Sequence, residues 1–443
     1  MKPLSILVAL PSLLVACNGV PEGMFRRNRV EPIVNALLSP DQDAREKAGK
    51  DLDQIGKQGL TEAEGLYAIQ SAARGFPPAK YKWQDVSADL ISAATRKPHG
   101  SYVSSIASSF SAFSPRAQEA ALRLLGSIDT PKAAEVFVAS LRRCSESTAP
   151  AEFRGFSESP RHAGVLFPSL LDLLSRPNLR WPVLHLTLSY LQAGQLRGQE
   201  LQEKVCTSVA RIHRDLRPSL LAYQRPTGTS WVWADEYQDS RSLAALVLDV
   251  LGHVSPACAE PELRLALGYS DPRLIQFAVV GLLRSGKEAP TDLVLRVAES
   301  PECRNWFFRG LKEINRSALF PTALMTQRAF AESDMVNWLT FPTELGRAPD
   351  EIELMAVIPS DTPSGPGEYY VFRFRTYPPH WAAKDGWMAG IAGPFLSKDA
   401  PSTEAQGDTF STFAAWDSKT PEEHLRGIVG TTDASRELRK KER

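Results

Sequence analysis

The segment from Ser114 to Arg143 constrains the fold most strongly. Ser114 and Pro115 supply an N-cap and a first-turn proline, after which small or apolar residues follow at helical spacing. Thr130-Pro131 repeats this start signal directly after the first helix, and Phe137 belongs to the apolar face of a second helix. Two short antiparallel helices joined by a tight turn cannot bury both apolar faces alone. We therefore expect this helix pair to stack against similar neighbours.

Related segments occur elsewhere in the chain. Arg45-x-x-Ala48-x-x-x-Leu52-x-x-Ile55-Gly56 aligns without gaps with the segment from Arg241 to Gly252, and Asp271-Pro272-Arg273 begins another copy. This pattern resembles HEAT-type helical repeats, in which Asp or Pro, Arg, Ala and Leu-Gly recur. The resemblance implies a mainly α chain, with an α-solenoid of helix pairs over residues 31–348. It also implies that the motif arginines tie adjacent repeats together, and these are Arg45, Arg116, Arg241 and Arg273.

The N-terminus carries a second resemblance. Residues 1–16 contain one lysine followed by an apolar run that ends in Leu14-Val15-Ala16-Cys17. This ending resembles the lipobox of bacterial lipoproteins, which implies cleavage before Cys17 and lipid attachment to its thiol. Residues 17–30 would then form a membrane tether in the cell envelope. The outer membrane is favoured because the residue after the cysteine is Asn18, and not the aspartate that retains many such lipoproteins at the inner membrane. The alternative is an ordinary signal peptide in which the cysteine has no role.

Four further cysteines follow at positions 144, 206, 258 and 303. None forms a C-x-x-C pair, so the spacing disfavours zinc and thioredoxin-like sites. An exported protein can oxidise such thiols. Cys206 lies among apolar residues and is expected to be a buried helical thiol. Cys258 and Cys303 lie beside prolines, which suggests turns, so we predict a disulfide between them.

Two insertions interrupt the predicted array, at residues 145–168 and 226–237. Insertions in repeat arrays map to loops and often to the binding face, and Tyr and Trp are enriched at binding hot spots. The second insertion therefore provides a candidate partner-binding set: Trp231, Trp233, Asp235, Glu236 and Tyr237. The alternative is that its aromatic side chains pack over the ends of neighbouring helices.

From Glu351 the apolar period changes from that of a helix to that of a strand. We expect strands near residues 352–358, 370–375, 387–392 and 409–416, then a short helix that begins at Pro421. This predicts a small α+β domain over residues 349–430 and a charged tail over 431–443. A group of charged and aromatic residues could bind an anion or another ligand, or could be structural: Arg373, Arg375, His380, Trp381 and Trp387, with Lys384 and Asp385 nearby.

The charge balance and missing motifs limit the function. Lys and Arg number 51, as do Asp and Glu, and this neutrality disfavours nucleic-acid binding. The seven histidines are scattered, and no metalloprotease, serine-hydrolase, P-loop or dinucleotide motif occurs. We therefore expect no catalytic residue, metal or cofactor. The favoured function is a membrane-anchored scaffold that binds a protein. Alternatives are an immunity-like lipoprotein that neutralises a toxin or envelope hydrolase, and an enzyme with its site in the C-terminal domain.

Overall fold

A computed structural model describes residues 28–81, 84–148, 150, 153–225, 230–379, 386–404, 407 and 409–441. The chain is mainly helical and has a small antiparallel four-stranded sheet near its C-terminus. It divides between residues 149 and 150 into two compact units, inside the predicted insertion 145–168. Among the described helices, none is long and apolar enough to cross a membrane. Cys17 and the predicted signal peptide lie outside the described residues.

The N-terminal unit is built from short helices in two layers. One layer contains α2, α4 and α6, and the other contains α1, α3, α5 and α7. The helices of this unit are α1 (Val30–Leu37), α2 (Gln42–Gln58), α3 (Glu62–Ser71), α4 (Val86–Ala94), α5 (Tyr102–Ser109), α6 (Pro115–Ile128) and α7 (Pro131–Arg143). The helix pair predicted from residue 114 onward is therefore confirmed as α6 and α7.

The helix starts follow the local sequence. Ser114 and Thr130 cap α6 and α7 by accepting backbone N–H bonds, as predicted. Thr61 and Glu64 form a reciprocal capping box at α3. The Glu64 carboxylate also accepts a hydrogen bond from Arg29 Nε at 2.7 Å, which lowers the pKa of Glu64 to about 2. Helix α2 is capped by Asp41, whose side chain accepts a hydrogen bond from the backbone N–H of Asp43.

Within the second unit, helices also alternate between two layers. Helices α11, α13, α15 and α17 pack in succession, and α12, α14 and α16 lie against them. Its helices before the sheet are α8 (Arg154–Glu158), α9 (Ala163–Leu166), α10 (Ser169–Asp172), α11 (Pro177–Gln192), α12 (Gln199–Tyr223), α13 (Asp235–Leu251), α14 (Pro256–Ala266), α15 (Pro272–Arg284), α16 (Thr291–Glu299), α17 (Pro301–Glu313) and α18 (Gln327–Leu339).

The motif glycines lie where helices of one layer approach each other. A Cβ on Gly252 would lie 3.0 Å from the Cα of Gly281, so α13 and α15 need glycine at this crossing. In the N-terminal unit, a Cβ on Gly56 would lie 3.3 Å from the Cβ of Ala93 in α4. The Leu-Gly element of the sequence motif therefore has the same packing role in both units.

The sheet has the strand order β1-β2-β3-β4, with antiparallel neighbours. Alternate residues of β2 face opposite sides, so Phe372 and Phe374 pack against α18 while Val371 packs against α19. The four predicted strands are confirmed as β1 (Glu351–Thr362), β2 (Gly365–Arg375), β3 (Trp387–Leu396) and β4 (Thr409–Ala415). The final helix α19 (Pro421–Lys441) is longer than predicted and includes residues 431–441 of the predicted tail.

The cysteine prediction is wrong. The structure pairs Cys206 of α12 with Cys258 of α14, whose Cα atoms are 6.2 Å apart. Cys303 is buried in α17 and free, and burial raises the pKa of its thiol strongly. The prolines near Cys258 and Cys303 mark first helical turns rather than loops. Helix packing therefore brings Cys258 to α12, a juxtaposition that local sequence does not reveal.

Candidate functional site

The aromatic insertion packs against the start of α13. Tyr237 is fully buried and its hydroxyl donates to Asp271 Oδ2 at 2.9 Å. The Trp231 ring meets the Tyr237 ring edge-on at 5.1 Å, and the Trp233 ring lies 5.4 Å from the Arg241 guanidinium. Of the five residues predicted to bind a partner, Asp235 and Glu236 are the exposed ones. The three aromatic rings therefore cover a polar network inside the fold.

That network is centred on Arg241, which is fully buried. Its Nε and Nη2 donate to Asp271 at 2.6 and 3.0 Å, and its Nη1 and Nη2 donate to Glu302 at 2.9 Å. Burial alone lowers the pKa of Arg241, but the two carboxylates raise it well above its ordinary value. Asp271 caps α15 and Glu302 lies in the first turn of α17. Arg241 thus joins three successive helices of one layer.

The predicted anion site on the sheet is neutralised internally. The guanidinium groups of Arg373 and Arg375 lie 4.5 and 4.4 Å from the centroid of the Trp387 ring. Both arginines also pair with glutamates of strand β1. Arg373 Nε donates to Glu353 at 2.7 Å, and Arg375 Nη2 donates to Glu351 at 2.6 Å. Because each guanidinium has a carboxylate partner, neither arginine offers an uncompensated charge to a ligand. His380, Trp381, Lys384 and Asp385 lie outside the described residues.

A buried Glu–His–Tyr chain was not predicted from the sequence, since its members are far apart. His213 Nδ1 lies 2.7 Å from Glu262 Oε2, and its Nε2 lies 2.9 Å from the Tyr269 hydroxyl. Burial lowers the pKa of His213 and raises that of Tyr269 to about 12. All three side chains are buried. The chain therefore links α12 with the end of α14 close to the disulfide, without access for a substrate.

An open groove in the N-terminal unit is the best candidate for a binding site. It has a volume of about 790 Å³ and is bounded by α2, by α4 and by described residues between α3 and α4, among them Pro77, Lys80 and Gln84. On α2 the lining residues recur at helical spacing from Gln42 to Lys57, so they form one face of the helix. We call this feature the α2–α4 groove. Its volume lies within the range of about 300–1,000 Å³ that is typical of ligand sites.

Charged side chains surround the α2–α4 groove. The cations are Arg45, Lys50, Lys57, Lys80 and Arg96, and the anions are Glu46, Asp53 and Asp89. Two ion pairs cross or flank the groove, Lys80–Glu46 at 3.0 Å and Lys57–Asp53 at 2.7 Å. Arg45 Nη1 donates to two carbonyl oxygens of the turn before α2, both at 2.8 Å. These two bonds hold the start of Arg45's own helix rather than tying adjacent repeats together as the resemblance implied.

The groove was not predicted, although the sequence contains a signal for it. Residues 72–85 form the longest connection between the described helices of the N-terminal unit. This connection contains two prolines followed by Lys80-Tyr81-Lys82-Trp83, of which positions 82 and 83 lie outside the described residues. A long basic and aromatic loop in a repeat array is typical of a binding surface. The repeat motif is poorly matched in this region, so the groove was not predicted from it.

No group of three or more potential metal ligands occurs among the described side chains. Compared with known protein families, with curated proteins and with solved structures, the chain has no match.

Proposed function

We propose that this protein is a membrane-anchored scaffold of the bacterial cell envelope, and that the surface of its HEAT-like helix pairs binds a protein partner. The main support for the proposed binding function is the α2–α4 groove. It is a large concave surface within helix pairs, whereas Tyr237 and Arg373, from the two sites predicted from the sequence, make internal contacts.

The helix packing supports the repeat interpretation. Within each unit, successive helices alternate between two layers, and each motif glycine lies at a helix crossing. Arg241, Asp271 and Glu302 tie helix starts in the second unit, as HEAT-type arginine and aspartate residues would. In the N-terminal unit the Ser114 hydroxyl donates to Asp85 at 2.6 Å, which links the starts of α6 and α4. Helical repeats present extended surfaces of the kind that proteins bind.

The disulfide supports the envelope location. Disulfides persist in oxidising compartments such as the periplasm and are rare in the cytosol. The bond between Cys206 and Cys258 agrees with export directed by the N-terminal sequence. The lipobox-like segment ending at Cys17 would then keep the exported protein at a membrane.

Two measurements test this function. Cys17→Ser should move the protein from the membrane fraction to the soluble fraction, whereas Cys144→Ser, which changes a buried cysteine outside the disulfide, should leave it in the membrane fraction. Retention of the Cys17→Ser protein in the membrane would refute the anchor. Crosslinking in intact envelopes should then link the wild-type chain to a specific protein, and identification of a toxin or hydrolase would favour an inhibitory role.

A further inference from the structure

The shape of the α2–α4 groove favours an elongated ligand. Lining residues on α2 extend from Gln42 to Lys57, which corresponds to about 22 Å at 1.5 Å per residue. An extended peptide of about seven residues covers this length at about 3.3 Å per residue. The groove therefore matches a short stretch of extended polypeptide better than a compact small molecule.

The charge of the groove favours an acidic ligand. Among its described lining residues, five side chains are cationic and three are anionic. Lys50 and Arg96 form no ion pair with any residue in the described part of the N-terminal unit. The Lys57–Asp53 and Lys80–Glu46 pairs are solvent-exposed, so a carboxylate from a partner can exchange with them at little cost. A partner with carboxylates along its length would complement the excess positive charge.

Gly49 provides an independent indication of close approach by a ligand. It lies at the middle of the lining face of α2, and glycine weakens a helix interior. Unlike Gly56 on the same face, Gly49 is not required by internal packing, because a Cβ there would meet nothing within 4 Å. Gly427 in α19 has the same free space but lies outside the groove. A glycine at the groove centre leaves room for a peptide backbone to approach α2.

From these observations we infer that the α2–α4 groove binds an extended acidic segment of the protein partner. The inference rests on the scaffold function proposed above. Carboxylates of the segment would pair with Lys50 and Arg96, and its backbone would pass over Gly49. The opposite charges give orientation and a fast, salt-dependent association, while the groove walls provide the apolar contact.

Peptide binding to the full-length chain in non-ionic detergent tests this inference. The probe is a fluorescein-labelled nonapeptide of alternating glutamate and leucine, and the control peptide has lysine in place of glutamate. We expect the acidic peptide to bind at low salt and to weaken as salt increases. Lys50→Glu combined with Arg96→Glu should weaken binding at least about tenfold, since it reverses two unpaired charges. Lys132→Glu, a single charge reversal on the exposed face of α7, should shift affinity less than about twofold.

A steric variant tests the position of the ligand. Gly49→Trp should fill the groove and weaken binding of the acidic peptide at least about tenfold, while Gly427→Trp should leave binding unchanged. Circular dichroism checks that both variants remain folded. Equal binding of acidic and basic peptides, or wild-type affinity in folded Gly49→Trp, would overturn the inference. If Gly49→Trp still crosslinks to the envelope partner of the wild-type chain, the groove inference fails and the scaffold function stands. If the peptide results hold but no envelope protein is crosslinked, the scaffold function fails instead.

Discussion

Arg241 gives the sharpest test of how the helix pairs are held together. Arg241→Met keeps a long side chain under the Trp233 ring but removes four hydrogen bonds to two carboxylates. Asp271 is fully buried and would lose its countercharge in a region with little water, while the mostly buried Glu302 would keep only Arg273, whose Nη1 lies 3.8 Å away. Breaking a buried ion network by removing one partner costs about 3–5 kcal/mol. We expect that loss in the free energy of unfolding of the second unit.

Thermal unfolding followed by circular dichroism measures this effect. For a unit of about 290 residues with about 2.1 cal/mol/K of unfolding entropy per residue, the loss corresponds to a Tm decrease of about 5–8 °C. Arg273→Met is the matched control, because Arg273 is partly exposed and its Nη1 lies 3.8 Å from Glu302. Its loss should cost less than about 1 kcal/mol. If the two variants have equal Tm values, the Arg241 network does not stabilise the second unit and the reasoning is refuted.

Three further predictions follow from the same structure. Replacing Cys206 and Cys258 by alanine should lower stability by about 4 kcal/mol, from the entropy of a loop of 52 residues. The Cys17→Ser chain keeps four cysteines, and thiol titration after denaturation without a reductant should find two free thiols. Four free thiols would show that the Cys206–Cys258 disulfide is absent. Burial raises the pKa of Asp249 from 3.8 to about 6, so ionisation destabilises the fold as pH rises through this interval. Asp249→Asn should therefore stabilise by about 2–3 kcal/mol at pH 7.5 and by little at pH 4, and an equal gain at both pH values would contradict this cause. Gly49→Ala should raise the stability of the N-terminal unit by about 1 kcal/mol, and a decrease in Tm would show that the fold needs glycine there.

Local patterns predicted most of the secondary structure. The caps at Ser114 and Thr130 and the four strands were visible because capping and periodicity depend on neighbouring residues. The helix α19 was predicted too short, since its polar second half lacks the apolar period that marks a buried helix. The Cys206–Cys258 pair was missed because it depends on which helices are adjacent, and no local pattern states this.

The candidate site shows why aromatic and charged residue types alone were poor guides to binding in this chain. Trp233 and Tyr237, like Arg373 and Arg375, were singled out for chemistry that the fold uses internally, to shield Arg241 or to pair with strand β1. A residue whose polar or aromatic character is already satisfied inside the protein has little left to offer a ligand. The informative residues are those that the fold does not need, because their presence calls for another cause. Gly49 weakens its helix without a packing reason, and Lys50 beside it carries a charge without an ion-pair partner in the described N-terminal unit. Both lie on the same face of α2, and a ligand in the groove explains them together.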